Sequence, residues 1–213
     1  MSLTRSLLQR FAILFWDFDG VIKESLAIKA EAFERLFAPF GPELSARVRA
    51  HHESHGGMSR AQKLPLYLSW AGCSGSPEEL CGYSERFSAM VRQAVIECPW
   101  VPGAREYLES NCARQRFVLV SATPQQEMQD IVRSLQAWDW FAAVYGSPTE
   151  KAQAMRADLA RYSDRRPEAL MIGDSETDYA AAQSVGVQFL LRRTPLNQAL
   201  QRAHTGPQCE DFQ

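Results

Sequence analysis

The sequence contains no long hydrophobic run, no excess of charge of either sign and no closely spaced pair of cysteines. None of its 213 residues belongs to an apolar segment near the ~20 residues of a membrane span, and residues 11–16 are too few for the core of a signal peptide. The 23 basic and 25 acidic residues leave a net charge of -2, which argues against binding nucleic acid through bulk electrostatics. Five dispersed cysteines without CxxC spacing favour reduced thiols. We therefore expect a cytoplasmic protein with neither a membrane nor a nucleic acid as its partner.

Short continuous apolar runs recur along the chain and predict strands that are covered on both faces. These runs comprise residues 12–16, 117–120, 142–145, 169–172 and 187–191. Helical patterns follow at residues 103–115, 124–138, 149–162 and 176–184, with Thr123 expected as an N-cap and Pro124 in the first turn after it. This alternation predicts an α/β fold with a doubly wound, Rossmann-like parallel sheet of five strands. We expect the tail after residue 204 to be poorly ordered.

The stretch between the first two runs is far longer than one crossover connection requires. Its patterns predict four helices, at residues 26–38, 44–54, 59–71 and 77–96, with Ser59 as the N-cap of the third. The simplest interpretation is an all-helical cap domain, residues 26–98, inserted into an α/β core formed by residues 1–25 and 99–213.

Polar side chains follow four of the apolar runs where each predicted strand ends. The first run leads into Asp17-Phe18-Asp19-Gly20-Val21, the second into Ser121, the third into a loop with Lys151, and the fourth into Gly-Asp-Ser-Glu-Thr-Asp at 173–178. Each residue alone has an ordinary structural explanation, such as a helix cap or a solvated lysine. Together, at the carboxyl ends of successive strands, they predict one ligand site at one edge of the sheet.

This set of motifs resembles the haloacid dehalogenase-like superfamily, and the resemblance covers nearly the whole chain. DxDGV at residues 17–21 matches the first motif, Ser121 the second, Lys151 the third and GDSETD the fourth. The helical insertion resembles the cap of the phosphoglycolate-phosphatase and β-phosphoglucomutase branch. The resemblance implies a hydrolase that uses Mg²⁺, and an aspartate at position 19 implies cleavage of phosphate esters rather than of carbon–halogen or carbon–phosphorus bonds.

Phosphoryl transfer requires an in-line nucleophile and neutralisation of the phosphate charge. We expect Asp17 to attack phosphorus and form an aspartyl-phosphate, and Asp19 to protonate the leaving group and then activate water. This second task requires a pKa of Asp19 raised towards the working pH, a shift that a bound phosphate can supply. Mg²⁺ would be held by Asp17, Asp174 and the backbone carbonyl of Asp19.

The other residues of the motifs are expected to support this chemistry. Ser121 and Lys151 would bind the phosphate, and Asp178 would orient Lys151 or a metal-bound water. Gly20 would let the backbone approach the anion, while Phe18 and Ala122 would line the phosphate site.

Two residues of the insertion are candidates for contacts with the substrate. Gly57-Met58-Ser59-Arg60 resembles the GxSR loop of β-phosphoglucomutases, whose arginine holds the substrate's non-transferring phosphate, so Arg60 is a candidate anion anchor. Lys29 stands where those mutases carry a histidine, which favours a phosphatase. Lys29 would contact the substrate or lie on the cap surface.

Three functions therefore stay open. We favour a phosphatase for a small phosphorylated sugar or acid, acting as a monomer or weak homodimer. A sugar-phosphate mutase and a non-catalytic phosphate-binding module are the alternatives. His51, His52 and His55 have too few further ligands nearby for a metal site and favour surface or substrate contacts.

Overall fold

A computed structural model describes residues 3–162 and 168–213 of the chain. Residues 1–2 and 163–167, which the predicted core domain also includes, lie outside the described part. Within the described residues, the strands form one parallel sheet in the order β3-β2-β1-β4-β5-β6. The strands are β1 (Ile13–Trp16), β2 (Arg116–Pro124), β3 (Ala143–Ser147), β4 (Ala169–Gly173), β5 (Gln188–Arg192) and β6 (Gln208–Cys209).

Helices cover both faces of the sheet, which confirms the predicted doubly wound α/β fold. All four residues of β1 are buried, as are all five of β4, because each central strand is packed on both sides. The helices of this part are α1 (Leu3–Leu8), α6 (Ala104–Asn111), α7 (Gln125–Ser134), α8 (Lys151–Leu159), α9 (Glu176–Val185) and α10 (Gln198–Ala203), with a 3₁₀ turn at Trp138–Trp140. No helix in residues 3–162 or 168–213 combines the length and the hydrophobicity needed to cross a membrane.

The sheet has six strands rather than the five predicted. The sixth strand, β6, pairs with β5 through Leu191 and Arg192. The expectation of a poorly ordered tail after residue 204 is therefore wrong. Cys209 is buried, and the ring of Phe212 lies 5.1 Å from that of Trp16 in the core. This segment was missed because its two apolar residues are isolated among polar ones and show no periodicity.

Four helices lie between β1 and α6, and we call residues 26–97 the helical insertion. They are α2 (Leu26–Phe37), α3 (Pro42–Ser54), α4 (Arg60–Trp70) and α5 (Pro77–Glu97), with a 3₁₀ turn at Ala38–Phe40. Ser59 caps α4 as predicted: its hydroxyl accepts from the backbone N–H of Gln62, whose side chain accepts from the Ser59 N–H in return. The domain boundaries at residues 26 and 98 stay a proposal.

The start of α7 differs from the prediction. Strand β2 continues through Thr123 to Pro124, and Pro124 rather than Thr123 is the residue that precedes the helix. The side chain of Thr123 makes no capping hydrogen bond and lies against Asp19 instead. A hydroxyl expected to be structural is therefore part of the site.

Candidate active site

The predicted polar residues meet at the carboxyl edge of the sheet, as expected for a parallel α/β fold. Asp17 follows β1 directly, and Asp174 follows β4. Lys151 is the first residue of α8, and Asp178 lies in the first turn of α9. The strand order places β1 between β2 and β4, so residues distant in sequence surround Asp17.

Lys151 lies between two carboxylates. Its Nζ is 2.9 Å from Asp17 Oδ1 and 2.5 Å from Asp178 Oδ1. Burial favours the neutral amine, but the charges of Asp17 and Asp178 and their hydrogen bonds outweigh it and raise the pKa of Lys151. Lys151 therefore carries a fixed positive charge next to Asp17.

Asp178 is completely buried and is held in one orientation by the start of its own helix. Its Oδ2 accepts hydrogen bonds from the backbone N–H and the hydroxyl of Ser175, at 3.1 and 2.6 Å. The Ser175 hydroxyl oxygen in turn accepts from the backbone N–H of Asp178, which completes a capping box. Since its other oxygen contacts Lys151, Asp178 has the geometry expected of a residue that orients this lysine.

Three buried carboxylates offer oxygens within 4.8 Å of one another: those of Asp17, Asp174 and Asp178. Burial, and then the charge of Asp178, raise the pKa of Asp17 to about 7 against the opposing effect of Lys151. Burial and the charge of Asp17 also raise the pKa of Asp174. A hard divalent cation would relieve this repulsion, and carboxylate oxygens are the ligands that Mg²⁺ prefers. The carboxylates of Asp17 and Asp174 therefore fit a cation, and the backbone carbonyl of Asp19 stays a predicted further ligand.

Gly20 allows the backbone to approach Asp174. It has a φ of +72°, and a Cβ at this position would lie 2.5 Å from Asp174 Oδ2 and 2.9 Å from a methyl carbon of Leu26. Any side chain here would push against the carboxylate. The backbone at Gly20 thus lies directly against the Asp174 carboxylate, and its predicted approach to a bound anion stays a prediction.

Asp19 occupies an environment opposite to that of Asp17. Its Oδ1 accepts from the Ser25 hydroxyl at 2.6 Å, and its Oδ2 accepts from Lys29 Nζ at 2.5 Å and from the Thr123 hydroxyl at 3.3 Å. Burial works to raise the pKa of Asp19, but the charge of Lys29 and the hydrogen bonds from Lys29 and Ser25 outweigh it, so the pKa is lowered. The raised pKa expected of a proton donor is therefore absent from this arrangement.

Of the remaining residues predicted near the phosphate, Ser121 and Ala122 lie at the same edge, whereas the side chain of Phe18 packs in the hydrophobic core. Ser121 is buried and its Oγ accepts from the backbone N–H of Thr123 at 3.1 Å, and the described residues offer its hydroxyl hydrogen no acceptor. Ala122 lines a cavity above Asp19. Phe18 is buried in the hydrophobic core, and its carbonyl accepts three backbone N–H bonds of the turn that carries Asp19.

This cavity, of about 60 Å³, separates the helical insertion from the carboxyl edge of the sheet. The core side supplies Asp19, Ala122 and Thr123. The insertion supplies the polar or charged side chains of Lys29, His52, Glu53, Arg60 and Lys63. Lys29 is therefore not on the surface of the insertion: it lies inside, bonded to Asp19 and to Thr123 at 2.5 and 2.8 Å.

Arg60 lines the cavity but already has a carboxylate partner. Its NH2 lies 2.9 Å from Glu127 Oε1 on α7, and its NH1 donates to Ser88 Oγ at 2.6 Å. Ser88 also donates to the other oxygen of Glu127, at 2.5 Å. Glu127, rather than a substrate anion, neutralises Arg60 in this arrangement, so the anion-anchor role of Arg60 stays a prediction without support from the geometry.

Sequence reasoning missed several residues around the cavity. Lys63 is buried and its Nζ lies 2.8 Å from Nδ1 of His52, one of the three histidines noted above. The other two, His51 and His55, stack with ring centroids 4.0 Å apart. One signal was available: Lys63 follows Arg60 by three residues, which places both on one face of α4.

Comparisons with known proteins identify the family. A family model described as haloacid dehalogenase-like hydrolase matches residues 13–191. The chain belongs to this family. Its doubly wound parallel sheet is the fold of this family.

Individual relatives agree with this assignment. A phosphoglycolate phosphatase from Rhodobacter capsulatus is 42% identical over 67 residues, which cover 28% of this chain and 31% of that protein. The match thus spans less than a third of that relative. CbbY from Rhodobacter sphaeroides, solved in complex with xylulose-(1,5)bisphosphate, has a TM-score of 0.74 at 14% identity over 95% of each chain. YfnB from Bacillus subtilis, solved bound to magnesium with interdomain movement, has a TM-score of 0.62 at 15% identity over 86% of this chain and 89% of that one. At these identities the structural likeness shows the fold.

Proposed function

We propose that this haloacid dehalogenase-like hydrolase is a Mg²⁺-dependent phosphatase that cleaves a small phosphate monoester through an aspartyl-phosphate on Asp17. The observation that carries the proposal is the contrast between two carboxylates at one edge of the sheet. Asp17 lies among two other acids and Lys151, whereas Asp19 faces Lys29, Ser25 and Thr123. Two acids held in different environments can take different parts in one reaction.

Asp17 is the nucleophile in this mechanism. One of its oxygens forms a bond to phosphorus while the bond from phosphorus to the ester oxygen breaks. Lys151, which lies 2.9 Å from Asp17 Oδ1, neutralises charge on the carboxylate and on the phosphate as they approach. Ser121 is assigned to donate its hydroxyl hydrogen to a phosphate oxygen.

Asp19 acts first as the general acid and then as the general base in this mechanism. It must be protonated when the ester binds, and a phosphate dianion nearby favours this by raising its pKa. Asp19 gives its proton to the leaving alkoxide and then takes one from the water that attacks the phosphorylated Asp17. That attack releases inorganic phosphate and returns both carboxylates to their starting states.

The metal site is assigned to Asp17 and Asp174, with the backbone carbonyl of Asp19 as a further ligand. A bound Mg²⁺ would orient the phosphate and offset the negative charge of the acidic cluster. Asp178 is kept from a ligand role by its bonds to Lys151 and Ser175, so we assign it to positioning Lys151.

The helical insertion is proposed to act as a cap, with boundaries at residues 26 and 98. Lys29 on α2 reaches Asp19, and Arg60 on α4 reaches Glu127 on α7, so the insertion lies over the part of the sheet edge that carries Asp19. A closed site excludes water other than the hydrolytic molecule. The mutase alternative draws no support from Arg60, which is paired with a protein carboxylate, and a non-catalytic module would have no need for the acid at position 19.

The test is release of inorganic phosphate from a panel of phosphorylated sugars, sugar acids and glycolate, with Mg²⁺ and with the metal chelated. We expect hydrolysis only with Mg²⁺ and none in the Asp17→Asn variant. Asp158→Asn is the matched control, since Asp158 is also buried but pairs with Arg116 away from the site. Hydrolysis by Asp17→Asn at the rate of the unchanged protein would contradict the assignment of the nucleophile.

A further inference from the structure

The side chain of Asn197 joins the ends of two neighbouring strands. The pairing of β4 with β5 extends to Gly173 and Leu191. One residue further along, the backbone carbonyls of Asp174 and Arg192 both accept hydrogen bonds from the NH₂ group of Asn197, at 2.7 and 2.8 Å. This amide therefore fixes the backbone of Asp174 relative to β5.

The oxygen of the same amide is also fully bonded. Asn197 Oδ1 accepts from the backbone N–H of Thr194 at 2.9 Å and from Nε2 of Gln201 at 2.6 Å. Gln201 Nε2 also donates to the carbonyl of Thr194, at 2.8 Å. An amide offers two hydrogens and two lone pairs, and all four are used here. The side chain of Asn197 is therefore held in one orientation.

The carboxylate of Asp174 has no comparable support. It is 8% exposed, yet it accepts no hydrogen bond from any residue of the described chain. Asp17 and Asp178 present carboxylate oxygens within 4.8 Å of it, and like charges at this distance repel one another. Among the described side chains, only Asn197 makes a hydrogen bond to Asp174, and this bond goes to the backbone.

A cleft of about 300 Å³ beside Asp174 gives its carboxylate room to move. The cleft is lined by Asn197 itself, by Met58 from the loop between α3 and α4, by Thr177 of α9 and by Leu200 of α10. Packing does not confine the carboxylate on this side. Its position therefore depends on how firmly its backbone is held.

We propose that Asn197 is a positioning residue for the metal site: by holding the backbone of Asp174, it keeps the carboxylate where a divalent cation binds. The inference rests on the proposed function, which assigns Asp174 to Mg²⁺. Side chains that orient metal ligands typically contribute about 10- to 100-fold to metal affinity. Asn197 does not line the cavity above Asp19, so its role is exerted through Asp174.

The experiment compares two variants that make the same chemical change in one hydrogen-bond network. Asn197→Asp replaces the NH₂ group that donates to Asp174 with an oxygen. Gln201→Glu replaces the NH₂ group that donates to Asn197 and Thr194. Each variant adds one negative charge, but only the first loses a bond to Asp174. Asn197→Ala and Gln201→Ala repeat the comparison without the added charge.

Mn²⁺, which shares the preference of Mg²⁺ for oxygen ligands, is titrated without substrate and followed by the electron paramagnetic resonance signal of the free ion. We expect Kd to rise about 10- to 100-fold in both Asn197 variants and to stay within about threefold in both Gln201 variants. An added negative charge attracts a cation. Weaker binding by Asn197→Asp would therefore be opposite to the effect of charge alone.

Phosphate release by the same variants separates positioning from chemistry. The Mg²⁺ concentration that gives half of the maximal rate should rise about 10- to 100-fold in the Asn197 variants. At saturating Mg²⁺, kcat should stay within about threefold of the unchanged enzyme, because the bound cation then holds the Asp174 carboxylate in place. General damage to the fold would lower kcat at every metal concentration.

The two measurements distinguish the inference from the proposed function. If the Asn197 variants bind Mn²⁺ as tightly as the unchanged protein, or if the Gln201 variants lose as much affinity, the inference is overturned while the phosphatase stands. If the unchanged protein binds Mn²⁺ but hydrolyses no ester, the phosphatase proposal fails, and the titration still decides the inference. An unchanged protein that binds no Mn²⁺ would overturn both.

Discussion

Asp17 and Asp19 are separated by one residue, yet their surroundings shift their pKa values in opposite directions. Asp17 is surrounded by other acids, and its pKa is raised to about 7 despite Lys151. Asp19 is surrounded by donors, and its pKa is lowered. The surroundings of Asp17 suit a carboxylate that binds a cation. Those of Asp19 suit a carboxylate that is protonated only when a phosphate binds nearby.

Among the ion pairs of the described residues that join the helical insertion to the core, Arg60 and Glu127 form the most buried one, with side chains 6% and 7% exposed. Replacing Glu127 with Gln removes one charge and leaves the arginine buried without a counter-ion. We expect the free energy of unfolding to fall by about 3 kcal/mol, as when other buried pairs are broken. Urea denaturation, followed by the fluorescence of the aromatic residues, measures this change in the free energy of unfolding.

Asp130→Asn is the matched control for this prediction. Asp130 lies on the same helix and faces Arg92 on α5 at 3.9 Å, but the two side chains are 33% and 53% exposed. Exposed pairs contribute less than about 1 kcal/mol, so the control should unfold almost as the unchanged protein does. Equal losses in both variants would show that burial of the Arg60 pair has no special effect.

The site residues on the core side could be predicted from the sequence, whereas the contacts between the helical insertion and the core could not. Asp17, Asp19, Ser121, Lys151 and Asp174 could be placed because each follows an apolar run, and the carboxyl ends of parallel strands meet at one edge. The partner of Arg60 could not be placed, because Glu127 lies 67 residues away on another helix. No local pattern encodes which face of the insertion meets the core.

The loop between α3 and α4 lies directly against the core at the start of α9. A Cβ at Gly57 would lie 1.4 Å from Thr177 Oγ1 and 2.6 Å from Ser175 Oγ, at the start of α9. At Gly56, one residue earlier, a Cβ would meet nothing within 4 Å. The absence of a side chain at position 57 therefore lets the insertion approach the helix that carries Asp178.

Gly57→Ala should hold the insertion away from α9. We expect kcat/KM for any good substrate to fall by up to about 100-fold, since small displacements of positioning groups are costly in a closed site. The melting temperature should change little. Gly56→Ala should stay within about twofold of the unchanged enzyme, as is usual for open surface positions. Equal kinetics of the two variants would contradict a role for this contact in closure.

For the chain as a whole, the doubly wound sheet and the helical insertion could be predicted, whereas the C-terminal strand could not. The five predicted strands are continuous apolar runs, and their positions were predicted to within a few residues. Strand β6 has two residues and is stabilised by contacts made elsewhere: it pairs with β5, and Phe212 beyond it packs on Trp16. Such a segment is ordered by tertiary packing rather than by its own pattern.

The central claim is that Asp17 forms the covalent bond to phosphorus, and intact-protein mass spectrometry with peptide mapping tests it most directly. The Asp19→Asn variant is mixed with Mg²⁺ and an aryl phosphate, whose leaving group needs no proton, so that Asp17 can be phosphorylated while hydrolysis stalls. We expect a single phosphoryl adduct on Asp17, and none when Asp17→Asn is added to the same variant. An adduct on another residue, or steady turnover by Asp19→Asn with unmodified Asp17 throughout, would contradict the account.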